Sequence, residues 1–406
     1  MQQRTPGHGP AATATRRQIL GTAPLALAAA AGLARPAIAQ DVLRIGFVGP
    51  MTGPFAPLGF QTLGAIRLCL AQQNETAGGR RLSLVVRDDA GEPQATRRLT
   101  QELVLNERVG VLCGMGLTPQ AFAAAPIVTQ AKVPAVVMNA ATSGVPAASP
   151  FYVRSFVAVP AIMAVLAQWA VREGLRNVVT LVSDYGPGID SETWFKKPFE
   201  AAGGRIPAAL RVPLANPDFA PFLQRAADAK PDAVMVFVPA GLGTVFMKQF
   251  AERGLVAAGV KLIGGGDLTD DDILNSVGET ALGVVTAYHY SAAHDSPENR
   301  RFVGEFARAN GGRRPNFMAV AGYDGTTLIC KALEKTGGAT GQALVDAMGG
   351  LSWESPRGPV TIDPRTRDIV HDMYMRRVEK RDGEYWNIEF DRFPQVKDPA
   401  NPLNGG

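Results

Sequence analysis

Thr118 is followed at once by Pro119, after the glycine-spaced run Gly114-Met115-Gly116-Leu117. A hydroxyl residue in front of a proline marks a helix start, with Thr118 at the N-cap and Pro119 at the first helical position. The free N–H groups of such a first turn suit a carboxylate. Other residue types that could do chemistry are less well arranged. Asp88-Asp89 and Asp270-Asp271-Asp272 sit where loops end or helices begin, and read as solvated acids rather than metal ligands. His289, His294 and His371 have neither HExxH spacing nor a cysteine partner, so neither a metal nor a cofactor is expected. No GxSxG elbow or P-loop occurs, and GMGLTP and GLGTVF begin like GxGxxG but lack its third glycine. Cys69, Cys113 and Cys330 each lie in an apolar segment without a CxxC, the pattern of buried free thiols. The chemistry on offer is ligand binding rather than covalent catalysis.

The elements that must position Thr118 follow one rhythm. A continuous apolar strand over 42–48 leads through a glycine-proline turn into a helix over 57–74. The same unit recurs with strands at 82–86, 109–113 and 135–138, and helices at 93–106 and 119–130. A second series has strands at 178–182, 205–212, 233–238 and 260–263, with helices at 187–202, 218–229 and 243–253. Alternation of this kind predicts an α/β fold with parallel sheets, right-handed crossovers and helices on both faces. After a strand at 284–288, helices are expected at 297–310, 315–336 and 341–348, then strands at 359–362, 369–378 and 385–390. Ligands bind such sheets outside the carboxyl ends of the strands. The loops to inspect are therefore 50–54, 114–120, 139–144, 184–188, 239–243 and 264–267.

The chain start has its own pattern. Arg16-Arg17 precede an alanine-rich run over 19–34 and the small-residue site Ala37-Ile38-Ala39, the layout of a cleaved export signal over 1–40. The run is short of the roughly 20 apolar residues that span a bilayer. Thr15-Arg16-Arg17-Gln18-Ile19-Leu20 is similar to the twin-arginine export signal, with the general secretory route open as well. The chain carries 41 Lys+Arg against 37 Asp+Glu, and Arg4, Arg16, Arg17 and Arg35 account for the excess. The remainder is balanced, which gives no ground for nucleic-acid or membrane-surface binding. About 365 residues remain, enough for two lobes.

The loops carry a resemblance. IGFVGPMTGPF from Ile45, RDDAGEPQAT from Arg87, GMGLTPQA from Gly114, KVPAVVMNAATS from Lys132, VSDYGPG from Val182, PDFAPFLQ from Pro217 and AGYDG from Ala321 together resemble the periplasmic solute-binding proteins of the Leu/Ile/Val-binding family. The likeness implies two doubly wound parallel-sheet lobes joined by a three-segment hinge, the type I periplasmic binding fold. The N-terminal lobe would take 41–157 and 291–354, the C-terminal lobe 158–290 and 355–398, and 399–406 a flexible tail. Crossings would fall near 156–160, 288–291 and 352–358. It further implies capture of a small carboxylate between closing lobes and delivery to an inner-membrane ABC permease by a periplasmic monomer. Leu117, Thr118, Ala140, Ala141 and Thr142 match the carboxylate-holding positions, and Tyr185 an aromatic cover. Asp267 lies where amino-acid binders place an acid for the ligand ammonium. Phe55, Tyr152, Tyr290 and Phe317 are candidate walls, and Pro239 sits in a loop facing the cleft. Two ligand classes stay open: an aromatic or other organic acid, and a hydrophobic or branched-chain amino acid. An exported enzyme and a ligand-sensing receptor domain on the same fold are the alternatives, though a receptor domain would be expected to lead into a transmembrane segment.

Overall fold

The computed structural model describes residues 41–214, 217–239 and 242–405. The expected export signal and Ala240-Gly241 lie outside them. Among the described residues, the strands form two sheets. The first is built from β1 (Val42–Gly49), α1 (Ala56–Gln72), β2 (Thr76–Ala77), β3 (Arg80–Asp88), α2 (Pro93–Leu105), β4 (Val111–Gly114), α3 (Thr118–Ala131), β5 (Ala135–Val137) and β6 (Tyr152–Arg154). Its strand order is β2-β3-β1-β4-β5-β6, parallel except for the β2–β3 hairpin. β4 and β5 are buried along their whole length, because helices cover both faces of a parallel sheet.

The second sheet begins after α4 (Val159–Arg172). It uses β7 (Val178–Ser183), α5 (Gly186–Ala201), β8 (Ala209–Val212), α6 (Ala220–Asp228), β9 (Ala233–Phe237), α7 (Gly243–Glu252), β10 (Lys261–Gly265), the short α8 (Leu274–Val277) and β11 (Val285–Tyr288). Then come α9 (Pro297–Ala309), α10 (Phe317–Thr336), α11 (Gln342–Met348), β12 (Ser352–Ser355), β13 (Gly358–Ile362), β14 (Ile369–Arg381) and β15 (Glu384–Val396). β8-β7-β9-β10-β11 are parallel, and β14, β13 and β12 extend the sheet antiparallel, with β15 paired to β14. α9 and α10 return to pack on α1, beside the first sheet.

Several boundaries depart from the sequence reading for local reasons. α10 starts at Phe317 rather than 315, because Asn316 caps it, its Oδ1 accepting the N–H groups of Met318 and Ala319 at 3.0 and 3.2 Å. The segment 352–358, expected near a crossing, carries β12. Within the segment 399–406, expected as a flexible tail, two amides of the described residues are hydrogen-bonded. Asn401 is 3% exposed with its Nδ2 on Asp368 Oδ2 at 3.3 Å, and Asn404 Nδ2 donates to the Asp398 carbonyl at 2.9 Å.

Where the chain passes between sheets, one guanidinium ties the passages together. Arg357, fully buried between β12 and β13, donates from Nε to Asp324 Oδ2 (2.7 Å), from Nη2 to the Ser155 carbonyl (2.8 Å), and lies 2.7 Å from His289 Nδ1 through Nη1. Ser155 follows β6, His289 follows β11 and Asp324 lies on α10. Trp353 Nε1 and Ser355 Oγ also donate to Asp324, at 3.0 and 2.9 Å. Removing the cation leaves a buried carboxylate short of its main partner, so Arg357→Met should lower unfolding stability by about 3–5 kcal/mol. Chemical denaturation would measure this, and a loss below about 1 kcal/mol would refute a central role for the pair.

Candidate functional site

The loops at the carboxyl ends of both sheets enclose a cavity of about 260 Å³. Phe55, Leu58, Leu117, Phe156, Ile162 and Phe237 make much of its wall, and Thr118, Asn139, Tyr185, Asp267 and Tyr288 supply polar atoms. The wall is thus aromatic and aliphatic with few polar groups, the make-up of a small-molecule site.

The first sheet contributes a cluster of donors. β4 ends at Gly114 with φ of +105°, where a Cβ would stand 2.3 Å from the Val48 carbonyl oxygen, so only glycine allows the turn that lifts α3 toward the cavity. The expected N-cap is displaced by one residue: Leu117 caps α3, Thr118 is its first residue and Pro119 its second. Gln120 reaches back, its Oε1 accepting the Leu117 N–H at 2.6 Å. Relieved of capping, the Thr118 hydroxyl lies 3.3 Å from Thr142 Oγ1.

The neighbouring loop is oriented from behind. The Ala140 and Thr142 carbonyls accept from Arg154 Nη1 at 3.3 and 2.8 Å, and the Ala141 carbonyl accepts from the Val159 N–H at 3.0 Å. Among the described residues the N–H groups of these three have no protein acceptor. Arg154, wholly buried at the end of β6, is itself held by Asp368 through Nε–Oδ1 at 2.8 Å and Nη2–Oδ2 at 2.5 Å, and by Asp398 at 3.2 Å. Ser143 Oγ donates to Asp398 at 2.9 Å. Burial raises the Asp398 carboxyl above its ordinary range, with Arg154 opposing.

The second sheet supplies the opposite wall. Asp267, in the turn after β10, accepts the Tyr288 hydroxyl on Oδ2 at 3.1 Å. Removal from water pushes its carboxyl up to about 6, against the Tyr288 hydrogen bond and the charge of Arg376. Arg376 is buried below, its guanidinium 5.2 Å from the Tyr288 ring centre and 3.7 Å from Asp271. Tyr185 precedes α5 and stacks on Phe237 at 6.5 Å between centroids. Its phenol is pushed up by burial and by the nearby Asp267 charge.

The structure brings Phe55, Leu117, Thr118, Ala140, Ala141, Tyr185, Pro239 and Asp267 to the cavity. It sets four sequence-derived candidates apart. Thr142 stands behind Thr118 rather than on the wall, and hydrogen-bonds to Asp190 of α5 as well. Tyr152 is a core residue whose hydroxyl donates to the Ala121 carbonyl at 2.6 Å, and Tyr290 is likewise buried with its hydroxyl on Asn299 Oδ1 at 2.9 Å. Both point from the strand ends into packed helices. Phe317 touches the site only through Tyr288 and Phe156, against whose rings it packs. Sequence reasoning missed Phe156, Val159, Ile162, Phe237 and Tyr288. The i, i+3 spacing of Val159 and Ile162 at the start of α4 was the available signal.

A two-sheet α/β molecule that closes an apolar, donor-tipped cavity with loops from both sheets has the type I periplasmic binding architecture. The chain belongs to the periplasmic binding protein family, whose model matches residues 42–384. It is 42% identical over 373 residues to Leu/Ile/Val-binding protein homolog 6 of Brucella melitensis, covering 91% of this chain and 96% of that one. Among solved structures it is similar to an ABC-transporter solute-binding protein of Rhodopseudomonas palustris BisB5 in complex with 3,4-dihydroxybenzoic acid. That match has 53% identity and a TM-score of 0.86, over 89% of this chain and 99% of the other. A further R. palustris solute-binding protein, in complex with 4-hydroxybenzoate, matches at 40% identity and TM-score 0.85, covering 88% and 98%. The family and these likenesses make this chain an ABC-transporter solute-binding protein.

The raised carboxyl of Asp267 has a stability signature. Between about pH 4 and pH 6 the folded chain holds a proton there that the unfolded chain has released, so this group's contribution falls as pH rises through that window. His289 and His371, buried and held below their ordinary value, act in the opposite sense. The readout is therefore a difference: ligand-free Asp267→Asn should be more stable than wild type at pH 7.5 by about 1 kcal/mol, with the gap closing toward pH 5. A gap independent of pH in calorimetry would refute the assignment.

Proposed function

We propose that this chain captures a small aromatic carboxylate of the benzoate class and delivers it to an inner-membrane ABC permease. One observation carries the reading: an aromatic-walled cavity of about 260 Å³ with Thr118 and the free N–H groups of Ala140 and Ala141 together on its first-sheet side. An apolar cavity of roughly 150 Å³ already holds a benzene ring, so this volume suits a single substituted ring. The ligand carboxylate would be held by the N–H groups of Ala140 and Ala141 and by the Thr118 hydroxyl, whose proton would turn from Thr142 Oγ1 to the ligand, in charge-assisted bonds. Thr142 supports Thr118 from behind. Phe55, Leu117, Tyr185 and Pro239 would close on the ring faces. The hydroxybenzoates in the two R. palustris relatives support the same class.

In this reading the two sheets are the cores of lobes spanning 41–157 with 291–354 and 158–290 with 355–398, hinged where Arg357 gathers the crossings. The chain acts in the periplasm as a monomer after export, by the twin-arginine or the general route. A branched-chain amino acid is the second reading, favoured by the Asp267 carboxylate on the wall and by the name of the Brucella relative.

Thermal-shift and calorimetric titration separate the two. Benzoate-class acids at about 100 times their Kd should add about 2.7 kcal/mol to stability, whereas leucine should add none. Thr118→Ala should weaken every aromatic acid by roughly 5- to 50-fold. Binding of leucine in place of aromatic acids would give the site to the second reading.

A further inference from the structure

Asp267 is the one carboxylate on the cavity wall among the described residues. A buried carboxylate away from a lysine or arginine of the wall is costly, so its retention beside an otherwise apolar chamber calls for a partner. Its Oδ2 has the Tyr288 hydroxyl and the carboxylate also takes the Asp267 N–H, while no other side chain donates to it among the described residues and the residue lines the cavity. Tyr288 is held rigidly, edge-on to Phe317 at 4.7 Å between centroids, so the carboxylate cannot easily swing away to find another donor. The charge of Asp267 is already partly balanced from below by the buried Arg376 guanidinium. What is missing is a neutral donor rather than a second cation. A ligand ammonium would enter the field of that guanidinium, whereas a phenolic O–H brings a proton without charge. Donors on the first-sheet wall and one open acceptor on the second-sheet wall suit a ring with a carboxylate at one end and a hydroxyl toward the other.

Accordingly, we infer that Asp267, backed by Tyr288, determines specificity by accepting a hydroxyl on the ligand ring, so that the cavity takes hydroxylated aromatic acids in preference to benzoate itself. This rests on the aromatic-carboxylate reading given above. A ligand without the hydroxyl leaves the Asp267 carboxylate desolvated with only the Tyr288 hydroxyl and one backbone N–H for its two oxygens, and sites built around a hydroxyl discriminate strongly against such analogues. Asparagine at this position keeps an acceptor but loses the charge that strengthens the bond.

The test is calorimetric titration of the mature chain at pH 7.5 with 4-hydroxybenzoate, benzoate, the near-isostere 4-methylbenzoate, and leucine, in wild type, Asp267→Asn and Asp267→Ala. Wild type should bind 4-hydroxybenzoate at least about tenfold tighter than benzoate or 4-methylbenzoate, and both variants should bring that ratio to within about threefold. The wild-type ratio should also shrink as pH is lowered from 7.5 to 5.5, where the carboxyl takes up a proton and becomes a weaker acceptor. Aromatic acids that bind wild type without hydroxyl discrimination, or a ratio that survives both substitutions, overturn the inference and leave the broader reading standing. If neither variant folds, the wild-type ligand series and its pH dependence decide alone. No binding of any aromatic acid removes the broader reading and this inference with it. Leucine binding that Asp267→Asn abolishes assigns the carboxylate to an ammonium and also overturns the inference.

Discussion

The Arg154 guanidinium is the constraint around which the binding site is arranged. It is buried without access to water, where an ionic group persists only if its charge and its N–H groups are all answered. Asp368 and Asp398 answer the charge, and the Ala140 and Thr142 carbonyls take the remaining hydrogen bonds. Turning those carbonyls inward turns the N–H groups of the same loop outward. A guanidinium packed behind a carbonyl-lined turn thus leaves the turn's N–H groups free on the far side. The same cation anchors the chain's end, because Asp398 and the amides of Asn401 and Asn404 are drawn into its surroundings.

A second set of buried charges has a different job. Arg357 bonds to groups from each passage between the sheets, and Asp324 collects Trp353, Ser355 and Arg357 on one carboxylate. Such pairs add little net stability over a well-packed apolar core, but their geometry is exacting. Placed where the chain crosses between sheets, they hold the passages in register while the apolar clusters on either side do most of the stabilising. Asp267 completes the contrast: it is incompletely paired, held above its ordinary ionisation range, and sits on the cavity wall. Perturbed groups of that kind concentrate at functional sites because local stability is given up there for recognition.

Much of the fold was legible from one-dimensional pattern. Apolar runs ended by glycine and proline marked β1, β4, β5, β7 and β9, and the loops after them included those that line the cavity. The likeness of the IGFVGPMTGPF and GMGLTPQA segments to the solute-binding family carried the class. Leu117, Thr118, Ala140, Ala141 and Tyr185 were found through the family likeness of the loops they lie in, and Thr118 also through its place before Pro119. The aromatic candidates divided unevenly: Phe55 and Tyr185 reached the cavity, whereas Tyr152 and Tyr290 turned into the core with their hydroxyls on Ala121 and Asn299. Tyr152 opens β6 at its amino end and so falls outside the carboxyl-end loops, but Tyr290 follows β11 as Tyr185 follows β7, and nothing local separates those two.

The sequence by itself determined the alternation of strands and helices, the helix start at residues 117–119 and the set of loops available to a ligand, because these depend on local backbone preference and on periodicities of two and 3.6 residues. Only the tertiary structure decided which side chains meet. Arg154 finds Asp368 and Asp398 from 214 and 244 residues away, and Asp270 meets Asn316 from 46. Burying a charge is resolved by whatever partner the folded chain brings within 3 Å. That distance is set by the packing of whole sheets and helices, which no local stretch of sequence encodes.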